Sequence, residues 1–278
     1  MPLRLALPLL LCLLLIVHAG CARAAPRDLP PLPSLGEAQV QRLEAGGVLV
    51  LTDGGRAILA GIELPRRPLT LSAEAPWPAA EEARTALAGL IGDRPVVLYG
   101  DAGAADRYGR RQVQVVTADG RWIQAELLRE GCARVAVTVD ERSAAALLSA
   151  EAEARRARRG IWRQPAYRVR RSYETPGLVG SIQLVEGRVA SSRLIKGDLV
   201  LHLGGNWRRS LTVLVPRPVL ARFAEYPPLA AVADQPRRMA GRRLRIRGWI
   251  GKTIGPVMEV ARPEQIELLD AAGRAEER

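Results

Sequence analysis

Aromatic side chains make up only 4% of the 278 residues, with a single phenylalanine among them. That scarcity argues against a surface of many base-stacking rings. Any affinity for nucleic acid then rests on phosphate neutralisation, is salt-sensitive and reads little sequence. Cysteine is nearly as scarce. Cys12 lies in an N-terminal apolar run and Cys21 just beyond it, which leaves Cys132 without an intramolecular partner and excludes a structural disulfide. Cys132 stands among apolar neighbours and reads as a small buried hydrophobe rather than a reactive thiol. Acidic residues are also in deficit, 29 against 41 lysines and arginines, for a formal charge of +12. A balance of that sign favours a polyanionic partner, nucleic acid or an anionic membrane surface.

What is present divides the chain into two small domains with short attachments. Residues 1–24 combine an early arginine, a leucine- and isoleucine-rich run and then small residues, the pattern of a secretory signal rather than a membrane span. The expectation is an exported protein, periplasmic or anchored as a lipoprotein. His18-Ala19-Gly20-Cys21 resembles a bacterial lipobox with an unusual first residue, and would make Cys21 the lipidation site facing an anionic membrane surface. Ala22-Arg23-Ala24 offers an ordinary cut instead. Residues 25–38, proline-rich and without apolar periodicity, are expected to be a flexible leader.

In the first domain, residues 39–163, Val48–Leu51, Asp53-Gly54-Gly55 and Ala57–Ile62 read as a hairpin. Pro65–Pro78 is a proline-rich connection, Ala79–Leu90 a helix and Arg94–Tyr99 a strand. Asp106–Val135 carries the most information. Gly109 suits a tight turn, and Val113 and Val115 alternate with Gln112 and Gln114 as in a half-buried strand. Ala118-Asp119-Gly120 is a hairpin turn, Ile123, Leu127 and Leu128 form a helical stripe, and Gly131 marks a helix end. Arg142–Arg159 reads as a long alanine-rich helix whose last turn is basic, as the helix dipole favours.

The succession D-x-Y-G-R, x-D-G and A-x-L-L-R-x-G-x-A-x-V over residues 106–135 resembles the staphylococcal nuclease (thermonuclease-like) family. The resemblance extends to Leu59-Ala60-Gly61-Ile62-Glu63-Leu64-Pro65 upstream and Gly160-Ile161-Trp162 downstream. It implies a small Greek-key barrel of the OB type. It also implies a calcium-dependent phosphodiester hydrolase, with a carboxylate that activates water and two arginines that neutralise the growing charge. A gapless alignment anchored on Gly61-Ile62 and Pro65 carries few of those groups over.

By that alignment the first metal carboxylate falls on Gly47, its companion on Ala45, and the first arginine on Ile58. The general base falls on Arg66, which cannot accept a proton. Glu63 stands at the second metal aspartate, and Leu64 at a neighbour that would offer its carbonyl. Arg110 is the retained family arginine, with Tyr108 beside it as a substrate-binding neighbour. Both retained charges have structural alternatives: Arg110 pairing with Asp106, and Glu63 pairing with an arginine. A hairpin indel would bring Glu44 or Asp53 towards the site instead. A degenerate catalytic site is the expectation, with calcium required only by a working nuclease site.

Residues 164–177 read as a linker and 271–278 as a polar tail. Between them Ile182–Val189, Leu199–Leu203, Leu211–Val215, Arg243–Ile250 and Val257–Val260 are β-rich, with a helix at Pro218–Glu225 between the third and fourth. That is the order of an OB-like barrel, assigned to 178–270. Val185–Val189, Trp207-Arg208-Arg209 and Pro263–Glu267 resemble the C-terminal part of some proteobacterial thermonuclease-like proteins. Arg208 and Arg209 are the candidate phosphate contacts. Tryptophans of so small a barrel are expected in its core and the alternating arginines of Arg237–Arg247 on its wet face. Three functions stay open: a polyanion-binding module, a residual calcium-dependent nuclease, and an envelope-tethered assembly protein.

Overall fold

A computed structural model describes residues 26–66 and 77–269; the expected signal peptide, Cys21 and the 271–278 tail lie outside them. The first unit runs β1 (Ser34–Ala38), β2 (Val40–Glu44), β3 (Val48–Leu51), β4 (Arg56–Leu59), β5 (Ile62–Glu63), α1 (Pro78–Ile91), β6 (Val96–Tyr99), β7 (Arg111–Val116), α2 (Ile123–Arg129), β8 (Arg134–Val135) and α3 (Glu141–Arg156). The sheet order is β1-β6-β7-β4-β3-β2, and β1 and β2 are consecutive pieces of one strand broken at Gln39, so the sheet closes on itself. β4 runs parallel to β7, and β6 is antiparallel to both β7 and β1. With α1 between the third and fourth strands, this is the OB barrel the sequence leads one to expect.

Local chemistry accounts for these elements. Val48–Leu51 is buried throughout, and the Asp53 carboxylate accepts the Gly55 N–H at 2.7 Å to hold the following turn. Asp140 caps α3 by accepting the Arg142 N–H at 3.0 Å. The two glycines of the motif turn out to be neighbours. The Ile161 N–H donates to the Gly131 carbonyl at 2.9 Å, and a Cβ on Gly131 would stand 2.3 Å from the Arg159 oxygen. Both positions therefore need glycine for close backbone approach.

Two expectations for this unit need correction. Residues 34–38 of the supposed leader form β1, and Leu29 joins the core. The strand escaped notice because it pairs through its backbone, with no buried side chain to give an apolar alternation. β7 is not half-buried either: Gln114 is covered, donating to the Ala60 carbonyl and the Ser143 hydroxyl and accepting from the Trp122 indole.

The second unit comprises β9 (Arg170–Arg171), β10 (Ser181–Ile195), β11 (Asp198–Leu203), β12 (Thr212–Val215), α4 (Arg217–Ala221), α5 (Pro227–Ala233), β13 (Arg243–Lys252), β14 (Pro256–Glu259) and β15 (Ile266–Leu268). β10-β11-β12-β14-β13 closes through a β13–β10 pairing, with β12 parallel to β14, giving a second closed barrel. The expected linker is part of it. β9 pairs with β10, and the Leu211 N–H donates to the Ser172 carbonyl at 3.1 Å, so this segment belongs to the second sheet rather than hanging free. Its short polar strand lacks the periodicity that would have marked it.

The barrels meet across two surfaces. Ala79, Ala154, Ile161, Trp162 and Leu184 form a small apolar cluster drawn from both. Beside it Arg247 of β13 grips Glu151 of α3 at 2.7 Å and Glu267 of β15 at 3.2 Å, while Arg155 reaches Glu151 at 3.0 Å and Arg245 bridges Glu186 and Glu267. Arg247 is 4% exposed and Glu151 0%.

Candidate functional site

Gly47, Ile58, Glu63, Leu64, Arg66 and Arg110, the positions that the alignment assigns to the family's site, line one cavity of about 70 Å³ at the mouth of the first barrel. The fold thus brings together residues that the sequence spreads over more than sixty positions. They offer one carboxylate and two guanidinium groups among otherwise uncharged neighbours. Gly47 follows β2 with φ at +77°, and a Cβ there would stand 2.2 Å from Leu64 Cδ1. A side chain at this position takes on backbone strain and has to push the end of Leu64 aside. Glu63, on β5, faces Arg134 across the β5–β8 ribbon and is held by its guanidinium at 3.0 Å. Arg66 follows β5 and lays its guanidinium 3.8 Å from where a Gly46 Cβ would be.

Arg110 binds Asp106 at 2.6 Å, and the same carboxylate accepts the N–H groups of Tyr108 and Arg110. The Arg110 guanidinium, above all, holds the Asp106 carboxyl below its usual range. Tyr108 is exposed, with Arg107 and Arg110 4.9 and 5.0 Å from its ring centre. Of the carboxylates an indel would have recruited, Glu44 pairs with Arg42 and Arg56, and Asp53 serves its own turn and lies 3.5 Å from Arg111.

Residues 56–164 match the staphylococcal nuclease homologue family. The chain carries a nuclease-homologue domain. Such a domain points to nuclease-type chemistry or nucleic-acid binding. No curated protein matches the chain.

Calcium takes six to eight oxygen ligands, carboxylates foremost. The nuclease-homologue cavity supplies one carboxylate, Glu63, already engaged by Arg134. Among the described residues no group of three or more histidine, cysteine, aspartate or glutamate side chains is placed to hold a metal. The donor set does not fit the ion.

A larger cleft of about 340 Å³ adjoins the cavity and shares Glu63, Leu64 and Arg66 with it. Its other walls come from Trp77, Arg134, Tyr167 and, in the second barrel, Ile182. Arg134 donates to the Ile182 carbonyl at 3.3 Å as well as to Glu63, so the second barrel touches the nuclease-homologue site directly.

On the second barrel Trp207 and Trp249 are 39% and 56% exposed, so the expectation that both lie in the core is wrong. Arg208 stacks 4.7 Å over Trp207, and neither Arg208 nor Arg209 has an ion-pair partner among the described residues. Of the alternating arginines of β13, Arg243 is exposed as expected, but Arg247 is buried against Glu151 of α3 and Arg245 is largely covered between Glu186 and Glu267. Ala144, Leu147, Glu151 and Ala154 share the buried face of α3. A carboxylate within an apolar stripe of helical spacing is the signal that would have exposed Glu151.

Proposed function

We propose that this is an exported, non-hydrolytic nuclease-homologue protein that binds nucleic acid or another polyanion without calcium, through basic surfaces on both barrels. The observation that carries the reading is the lining of one cavity: Gly47 has positive φ with the Leu64 side chain lying against it, and Arg66, where the alignment puts the family's general base, lines the same cavity. A missing general base alone costs about 10² to 10⁴-fold in rate. The formal charge of +12 and Arg208 and Arg209, which have no ion-pair partner among the described residues, support binding to phosphates.

Two assays on one preparation test this reading. A nuclease assay on single-stranded DNA and RNA is expected to show no calcium-dependent turnover, whereas chelator-sensitive cleavage that vanishes in Arg110→Ala would overturn the proposal. In parallel, log affinity is expected to fall with log salt by about 0.7 per contacted phosphate on single strands. Replacing Arg208 and Arg209 together should flatten that slope by about one or two. The N-terminal apolar run supports export. Fractionation of Cys21→Ser distinguishes a lipid anchor from simple cleavage.

A further inference from the structure

The cleft between the barrels is made by five separate segments: the chain leaving β5, Trp77 ahead of α1, Arg134 of β8, the turn that carries Tyr167, and the start of β10. Its volume of about 340 Å³ falls in the range of small-molecule sites, about 300–1,000 Å³. Most polar groups inside it are committed. Arg134 spends its fork on Glu63 and on the Ile182 carbonyl, and the Trp77 indole donates to the Tyr167 hydroxyl at 3.3 Å. Glu63 is thereby neutralised. Arg66 remains, an exposed guanidinium with no acidic partner among the described residues. Among the described residues the cleft therefore carries one uncompensated positive charge.

The rest of its lining is apolar or aromatic. The rings of Trp77 and Tyr167 lie 6.3 Å apart at 48°, and Leu64, Pro65 and Ile182 complete the wall. Burial raises the Tyr167 phenol above its ordinary value, so that ring stays neutral and offers a flat, weakly polar face. An arginine fork matches carboxylate and phosphate oxygens alike.

We propose that this cleft binds a small organic anion: a carboxylate or phosphate monoester on a flat apolar body, with the head group on Arg66 and the body between Trp77, Tyr167 and Ile182. The site exists only when the second barrel is docked, since Ile182 and the turn at Tyr167 supply one side. It is lined by neither Arg208 nor Arg209, and neither assignment depends on the other.

The test is calorimetric titration of the purified protein with phenyl phosphate, benzoate and the neutral benzyl alcohol, each with and without chelator. At least one anion should saturate with a dissociation constant near or below about 1 mM, and benzyl alcohol should bind about tenfold more weakly or not at all. The stronger anion identifies the head group. Arg66→Gln should lose about tenfold to a hundredfold in affinity, with Arg66→Lys intermediate. Tyr167→Ala should weaken the aromatic anions while inorganic phosphate is unaffected, and chelator should change nothing. Arg66 is exposed, so an unchanged thermal midpoint is expected for Arg66→Gln and makes its loss of binding interpretable. Three results each overturn the proposal: no saturation by either anion, equal binding of benzyl alcohol, or full affinity in Arg66→Gln.

Discussion

The two barrels share a strand order, and each places its helix between the third and fourth strands, yet they use their charged faces in opposite ways. In the first, the cavity at the barrel mouth is lined largely by uncharged groups, Gly47, Ile58 and Leu64 among them, and its one carboxylate, Glu63, is held by Arg134. In the second, the outward face of β10, β13 and β15 is densely charged. Glu186, Arg245, Arg247 and Glu267 are not a solvated surface but one half of an interface completed by Glu151 and Arg155 of α3. A barrel topology fixes which face is outward, and the neighbouring chain decides whether outward means wet.

The difference predicts where the molecule is most easily broken. Burial works to raise the Glu151 carboxyl, but Arg247, Arg155 and the Val135 N–H together hold the group below its ordinary value. Removing one partner of such a pair strands the other, at about 3–5 kcal/mol. Arg247→Ala should therefore lower stability by about that amount in urea unfolding, the largest effect expected in this chain. Arg247 Nε lacks an acceptor, so the network is incompletely satisfied. The double change Arg247→Met with Glu151→Leu should recover most of the loss. A loss below about 1 kcal/mol for Arg247→Ala would mean that the apolar cluster alone holds the barrels.

The second prediction concerns the cavity of the first barrel. Gly47→Asp combined with Arg66→Glu restores two of the charges that the family's pattern calls for, leaving Ala45 and Ile58 as they are, but an aspartate must adopt positive φ and displace Leu64. Calorimetry should show a loss of about 1–3 kcal/mol, with no calcium-dependent cleavage gained. Calcium-stimulated turnover in that variant would show that the cavity lacks only charges and not space.

Much of the first barrel was legible in the sequence because its signals are local. The Asp-Gly turns, the Tyr108-Gly109 turn and the Ile123, Leu127 and Leu128 stripe each leave a mark within a few residues. The site was legible as an alignment, and the fold gathers the aligned positions into one cavity. What stayed hidden depends on partners distant in the chain. β1 pairs by backbone alone, Gln114 is covered by Trp122 and Ser143, and Arg247 is buried only because α3 lies against it. A strand with arginine at every second position looks the same from the sequence whether water or a helix faces it.

The third prediction sets a buried pair against an exposed one by pH. Glu151 and Glu174 both have depressed folded pKa values, Glu174 to about 2, chiefly through its hydrogen bond with Arg168. Carboxylates of the unfolded chain titrate near 4.3. For a depressed carboxyl the stabilisation is fully present above the unfolded value and is lost as pH falls through the folded one. Urea midpoints should hold from pH 7 to about 5 and then decline towards pH 2. Glu174→Gln should lie below the parent at neutral pH and converge with it on acidification. A constant gap down to pH 2 would remove the ion pair as its cause.

The smallest effect is expected at Cys132, and it can separate the barrels. Burial first, and then the Glu130 and Glu82 carboxylates, push its thiol up to about 11. At pH 8 its thiolate fraction falls about a hundredfold or more below that of an unperturbed cysteine, so alkylation should be slower by a similar factor. Cys132→Ala should change stability by well under about 1.5 kcal/mol, since the side chain is only partly buried. The other cysteines, Cys12 and Cys21, lie outside the described residues, so in a chain beginning at Ala25 this thiol reports on the first barrel alone. If the apolar cluster and the Glu151–Arg247 network tie the barrels into one cooperative unit, Arg247→Ala should speed its alkylation about tenfold or more, although the mutation lies in the other barrel. An unchanged rate, with stability lost elsewhere, would show that the first barrel folds independently and that the ion network serves only to dock the second.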